Sequence, residues 1–437
     1  RFARDTPAAQ IAAGEVLITE LNCVACHAAG EGQTHRFQRR PAPILFTTHN
    51  PASAGWLRHW MLDPQKLKPG TLMPDLLHGL DKDNKSQAVE ALRHYLVTLN
   101  PATGPEAAMI GNGPKGKQLY QTLGCAQCHA PDAQDNKRDI PLGNVRYKYG
   151  HAHLIKFLRN PLHSRPAGRM PRTPLSEEEA AHLSVYLRHR SGPLEMYDLA
   201  RGPAALKLRA EGKKLVQTLR CANCHQMPKQ KLQPAQLNFS KPLGKLNPAL
   251  GCLAPKPAAA VPQFHLNAAQ RTAITAALRA KETEPSLAAH VYREMRLFNC
   301  TACHDRKDLG GPNPKRDALF LSLGNDLGDE GRLPPTLTGV GAKLTESALH
   351  KVLRGDGAVR PYLATRMPDF GEANAKRLTP LLAAADARAN VKPTPRHGDE
   401  NQVGRNQYGR ELMGVKGLSC IACHRLGGRK SLGIQSM

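Results

Sequence analysis

Ten of the eleven cysteines fall into one pattern, Cys-x-x-Cys-His, that recurs five times. The copies are Cys23 and Cys26 with His27, Cys125 and Cys128 with His129, Cys221 and Cys224 with His225, Cys300 and Cys303 with His304, and Cys420 and Cys423 with His424. Thiols three residues apart lie on neighbouring faces of one helical turn. Both can reach one edge of a flat macrocycle while the next side chain turns beneath its centre. This is the attachment chemistry of c-type haem, in which the thiols add to two vinyl groups and the histidine reaches the iron. A single Cys-x-x-Cys also serves zinc or dithiol chemistry. Zinc would need a second Cys or His pair at short spacing, and no segment supplies one. Disulfides inside the motifs would leave five following histidines unexplained. The sequence therefore predicts five covalently attached haems c.

The elements that must position these motifs repeat with them, at intervals of about 80 to 120 residues, the size of a small domain. Nine residues before the first Cys of three motifs stand Gly14-x-x-Leu17, Gly116-x-x-Leu119 and Gly212-x-x-Leu215. Leu21, Leu123 and Leu219 follow at two before the Cys, an apolar spacing that predicts a helix leading into each motif. A middle helix is expected over 54–62, 151–159 and 345–353. Closing helices are expected over 86–99, 180–190, 268–279 and 373–385. Ser176 with Glu179 and Asn267 with Gln270 are capping-box pairs, and Pro380 should kink or break the last of these helices. Pro- and Gly-rich linkers fall near 100–115, 191–206, 281–287 and 388–405. These place domains at 1–105, 106–200, 201–285 and 286–395, with 396–437 as the beginning of a fifth.

This order of helix, Cys-x-x-Cys-His, loop, short helix, Met-Pro and closing helix resembles the class I cytochrome c domain. The resemblance implies an all-α fold, tandem and with long loops, in which the haem is the main apolar body of each core. It would answer the low aromatic content of 5%. In that family the sixth iron ligand is a methionine usually followed by proline. Met73-Pro74, Met170-Pro171 and Met367-Pro368 match, so the resemblance implies His27 with Met73, His129 with Met170 and His304 with Met367. A thioether favours reduced iron, and a six-coordinate iron has no position for substrate, so these three are expected to be relay haems.

The third segment departs from the pattern. Val261-Pro262 stands where Met-Pro belongs, leaving Cys252, His265 or an open iron as alternatives for the haem at His225, while Met227 lies too close to His225 to swing round. A thiolate there would lower the potential and suit sulfur chemistry. The fifth segment stops at Met437, thirteen residues after His424, whereas the other methionines follow their histidines by some 40 to 60. Met437 is not expected to ligate, and either further chain or another subunit would complete that haem.

The expected function is electron relay between redox partners outside the cytoplasm, in the periplasm or extracellular space. The chain begins at Arg1 without a signal segment, as a mature exported chain would. Formal charge of +25 would offset haem propionates and steer acidic partners such as a dehydrogenase or oxidase. Lys and Arg are scattered without a dense basic stripe, which argues against nucleic acid. No apolar run approaches the ~20 residues of a membrane span. Two alternatives remain at this point: a dihaem-peroxidase-like or sulfur-redox enzyme using the atypical third haem, with His265 as distal acid or base, and a haem scaffold assembled with other subunits.

Overall fold

The computed structural model describes residues 6–30, 36–46, 52–99, 110–129, 140–195, 197–227, 240–280, 286–307, 309–324, 328–356, 360, 362–387, 402–425 and 435–436; at 402–405, 422–425 and 435–436 only the backbone is described. Met437 lies outside these residues. The fold is all-α, and the strands among the described residues are two pairs of two-residue segments. No described helix is long and apolar enough to cross a membrane.

Leading helices span Pro7–Glu20, Gly113–Thr122, Gly202–Thr218, Leu287–Leu297 and Gln402–Met413. The middle helices are Ala54–Leu62, His151–Arg159 and Glu346–Leu353, with Ser53 Oγ and Thr345 Oγ1 capping the first and third. Closing helices span Lys82–Leu96, Glu177–His189, Ala268–Arg279 and Glu372–Asp386. Both expected capping boxes form. The first closing helix starts four residues before the expected Ser86, because Asp81 accepts the backbone N–H groups of Asp83 and Asn84. Pro380 does not break the last one: it sits on the exposed face, where water can serve a carbonyl deprived of its partner.

Helix pairing departs from the expected order of self-contained domains. In the second segment the leading and closing helices pack on each other, with Gly116 against the His182 carbonyl. The first and third segments instead trade partners. Pro7–Glu20 packs on Ala268–Arg279, and Gly202–Thr218 packs on Lys82–Leu96. A methyl group added to Gly14 would lie 2.0 Å from the Ala273 oxygen, and one added to Gly212 would lie 2.1 Å from that of Ala91. Only a residue without Cβ admits so close a backbone. The expected bodies 1–105 and 201–285 are thus two composites, each joining the front of one segment to the back of the other. A boundary read along the chain could not show this, since the traded helices present the same Gly and Ala surfaces. In the fourth segment Val291 occupies the glycine position, and Gly341 makes the close approach to the closing helix at Leu382.

Two antiparallel bridges join the four units into pairs. Asp75 pairs with Gln263, and Arg172 with Asp369. Each of these four residues stands two after Met73, Val261, Met170 or Met367. Val261 therefore stands in the same position relative to its bridge as the three methionines do to theirs.

Candidate haem-binding site

Each Cys-x-x-Cys-His motif begins from a residue with left-handed backbone: Asn22 (φ 56°), Gly124 (101°), Arg220 (54°), Asn299 (56°) and Ser419 (56°). That reversal at the end of the leading helix starts a single tight turn over the two cysteines. The fifth motif shares it, although the side chains of Cys423 and His424 are not described.

The four described histidines are held alike. Nδ1 donates to the carbonyl of Lys241 from His27 (2.7 Å), of Ile140 from His129 (2.8 Å), of Pro43 from His225 (2.7 Å) and of Pro335 from His304 (2.6 Å). Two residues beyond the accepting carbonyl, the N–H of Leu243, Leu45 and Leu337 returns to the carbonyl after the histidine, at Ala28, Gln226 and Asp305. This clasp fixes the proton on Nδ1 and the lone pair on Nε2, the tautomer an iron ligand requires. Burial also holds His225 and His304 below their usual pKa, favouring the neutral ring. The clasp was missed in the sequence, although a leucine recurs at its second position in all four, including Leu142. In the first and third segments the clasp is exchanged as the helices are.

The distal candidates divide accordingly. Met170 packs in the core that contains Cys125, and Met367 in the core that contains Cys300. Met73 does not join Cys23. Its sulfur accepts the indole N–H of Trp60 at 2.8 Å, and Trp60 belongs to the core of Cys221, Val216 and Met227. Cys252 lies within electrostatic reach of Cys23 and Cys26, and its neighbour Leu253 packs in the core of Cys23 and Ile18. The segment without a methionine thus faces His27, correcting its expected place opposite His225. His265 is exposed and stands outside the cavity, which removes it as a distal acid, base or ligand.

One continuous cavity of about 3560 Å³ reaches Cys23, Cys125, Cys221 and Cys300 in turn. It is several times the volume of an ordinary ligand pocket. Burial pushes the thiols of Cys23, Cys125 and Cys300 up to about 12, so none is an activated thiolate of the kind found in redox dithiols. Lys68, Lys148 and Arg165 line the same cavity without a carboxylate partner among the described residues. Burial together with the neighbouring Arg165 drives Lys68 down to about 8 and Lys148 well below its usual value. Half-buried cations crowded together in this way favour an anion beside them. A flat apolar group carrying carboxylates at its rim meets every one of these conditions, so the residues fit haem.

The motifs also approach one another in pairs. Asn223 Nδ2 lies 3.9 Å from Cys26 Sγ, and Asn299 Nδ2 lies 3.3 Å from Cys128 Sγ. The first motif therefore neighbours the third and the second neighbours the fourth.

Two other histidines hold the chain in place from a closing and a middle helix. His94 and His151 are buried, at 1% and 3% exposure. His94 Nε2 accepts the Ala200 N–H, and His151 Nε2 donates to the Ile110 carbonyl, so each ties down the approach to a leading helix.

No curated protein and no solved structure matches the chain. Residues 114–191 match the cytochrome c family model, so this stretch, with Cys125, Cys128 and His129, is a cytochrome c domain that implies covalently bound haem c.

Proposed function

We propose that the chain is a multihaem electron-transfer protein carrying five covalent haems c, working in the periplasm or outside the cell between redox protein partners. The observation that carries this reading is the continuous cavity, which runs past four clasped Cys-x-x-Cys-His motifs and brings them together in pairs. The cysteines would hold each macrocycle by two thioethers and the clasped histidines would supply the proximal nitrogen. Met170 and Met367 would supply the sixth ligands of the second and fourth haems. When bound, haem supplies one-electron chemistry, and the protein sets each potential through ligand, burial and nearby charge. Excess positive charge favours acidic partners and predicts association that weakens with salt.

The test is intact-protein mass spectrometry on the exported holoprotein, followed by spectroelectrochemical titration. Five haem additions and stepwise one-electron reduction over a spread of potentials are expected. Fewer than four additions, or haems that do not exchange electrons within one molecule, would overturn the relay.

A further inference from the structure

The exchange of halves has a consequence that rests on the relay reading and deepens it, because it decides which distal side belongs to which haem. We propose that the haem held by Cys221, Cys224 and His225 takes Met73 as its sixth ligand. The haem held by Cys23, Cys26 and His27 is then the one without a methionine, and Cys252 is the sulfur on its distal side.

Three kinds of contact carry the assignment. The clasp on His225 comes from Pro43 and Leu45 of the first segment, while that on His27 comes from Lys241 and Leu243 of the third. The helix pairs agree, since Gly212 meets Ala91 and Gly14 meets Ala273. The apolar cores agree again: Cys221 shares a core with Met61, Leu77, Val89 and Trp60, and Cys23 shares one with Leu243, Leu253, Phe264 and Ile274. Backbone hydrogen bonds, helix packing and side-chain burial are separate observations, and each sends the back of one segment to the front of the other.

The Asp75–Gln263 bridge sharpens this further. It sets Met73 and Val261 at equivalent places in the two composites, so one receives a thioether and the other an isopropyl group. The Arg172–Asp369 bridge does the same for Met170 and Met367. One haem pair is therefore matched in its distal ligands, and the other is not. Electrons entering the unmatched pair meet two irons of different ligation across the contact of Cys26 with Asn223.

The experiment uses the full holoprotein with two double variants, Cys221→Ala/Cys224→Ala and Cys23→Ala/Cys26→Ala. Mass spectrometry counts the haems, and a wild type lacking them would fail the relay reading before the exchange is at issue. Given the full complement, proton NMR of the reduced protein counts iron-bound methionines by their ring-current-shifted methyl groups. Three are expected in the wild type, two after loss of the Cys221/Cys224 haem, and three after loss of the Cys23/Cys26 haem. The reverse pattern overturns the exchange. Should a double variant fail to accumulate, Overhauser contacts of the wild-type Met73 methyl decide, its resonance assigned with Met73→Leu. Contacts to the thioether protons at Cys221 and Cys224 support the assignment, and contacts to those at Cys23 and Cys26 overturn it.

Discussion

Gly212 of the third segment is pressed against the backbone carbonyl of Ala91 in the first, so closely that a Cβ would lie 2.1 Å from the oxygen and 2.8 Å from the Tyr95 Cβ. Gly116 meets His182 and Tyr186 of its own segment at the same two distances. Among the leading helices, the device is thus used once within a segment, at Gly116, and twice between segments, at Gly14 and Gly212.

A side chain at this crossing must force the helices apart. Gly212→Ala is expected to cost about 1–3 kcal/mol by overpacking, with Gly116→Ala similar. Gly409 sits in the fifth leading helix with nothing within 4 Å of its Cβ position, so Gly409→Ala should be neutral or stabilising by up to about 1 kcal/mol. Chemical denaturation of the three holoproteins measures the contrast. Equal effects at Gly212 and Gly409 would remove the close crossing.

The Trp60 N–H on the Met73 sulfur would withdraw electron density from the sixth ligand proposed above, which must support oxidised iron. Removing the bond in Trp60→Phe should make the thioether a better donor and lower one potential. A hydrogen bond of about 1 kcal/mol corresponds to roughly 40 mV for one electron, which sets the upper size of the effect. Spectroelectrochemistry of the variant should show one haem moved down and the rest unmoved.

Lys148 lies over the rings of Trp56 and Tyr149 at 4.6 and 5.1 Å, on the wall of the cavity near the second motif. With a haem carboxylate beside it Lys148 would carry its proton, and a positive charge there favours the reduced iron. Taking about 15 Å and an effective dielectric of 20, the effect is on the order of 1 kcal/mol, or roughly 40 mV. Lys148→Met should lower the potential of a neighbouring haem by up to that amount, and Lys148→Arg should leave it nearly unchanged. A methionine variant with wild-type potentials would show that the cluster faces no haem.

Asp386 closes the fourth unit. Its carboxylate accepts two hydrogen bonds from Arg306, at 2.6 and 3.0 Å, and one from the Gly341 N–H at 2.9 Å. Burial alone would raise its pKa, but these donors outweigh burial and hold it below 3.8. The unfolded carboxyl titrates near about 3.9, so the stability it contributes is complete above that pH and is lost as pH falls through the lower folded value. Asp386→Asn should cost about 2–4 kcal/mol at neutral pH, because it leaves the buried Arg306 uncompensated. The difference from wild type should shrink below pH 4. A pH-independent difference would assign the loss to packing instead.

How far the sequence reached depended on whether information was local. Ser176 with Glu179, or Cys125 with His129, interact within one turn, and their spacing carries the structure. Val261 could be set against Met170 by counting, because both precede a closing helix by the same loop. The partner of Gly14 could not be found this way. Ala273 and Ala91 are equally small and both lie on closing helices, so sequence offers no preference, and the exchange is revealed only by tertiary contacts, such as those of Pro43 and Lys241 on opposite histidines. Pro380 failed for a related reason: its tolerance depends on which helix face meets water.

Cys252 is where the exchange meets chemistry. It faces the haem site of Cys23 and Cys26, where Val261 provides no ligand. Burial raises the free thiol to about 11, so in the haem-free chain it is protonated and inert. Beside ferric iron a sulfur ligand is deprotonated by the metal itself. A thiolate donor stabilises the oxidised state and should make the His27 haem the lowest in potential of the first four. Electron paramagnetic resonance of the oxidised protein should therefore contain a low-spin signal that vanishes in Cys252→Ala and persists in Met73→Leu. In Cys252→Ala that iron should become high-spin and bind carbon monoxide when reduced. Val261→Met in the same background should restore a low-spin haem at higher potential, since it returns a thioether to the place it holds in the other three units. An unchanged spectrum in Cys252→Ala would assign the sixth position of the His27 haem to some other group, while leaving Met73 with His225.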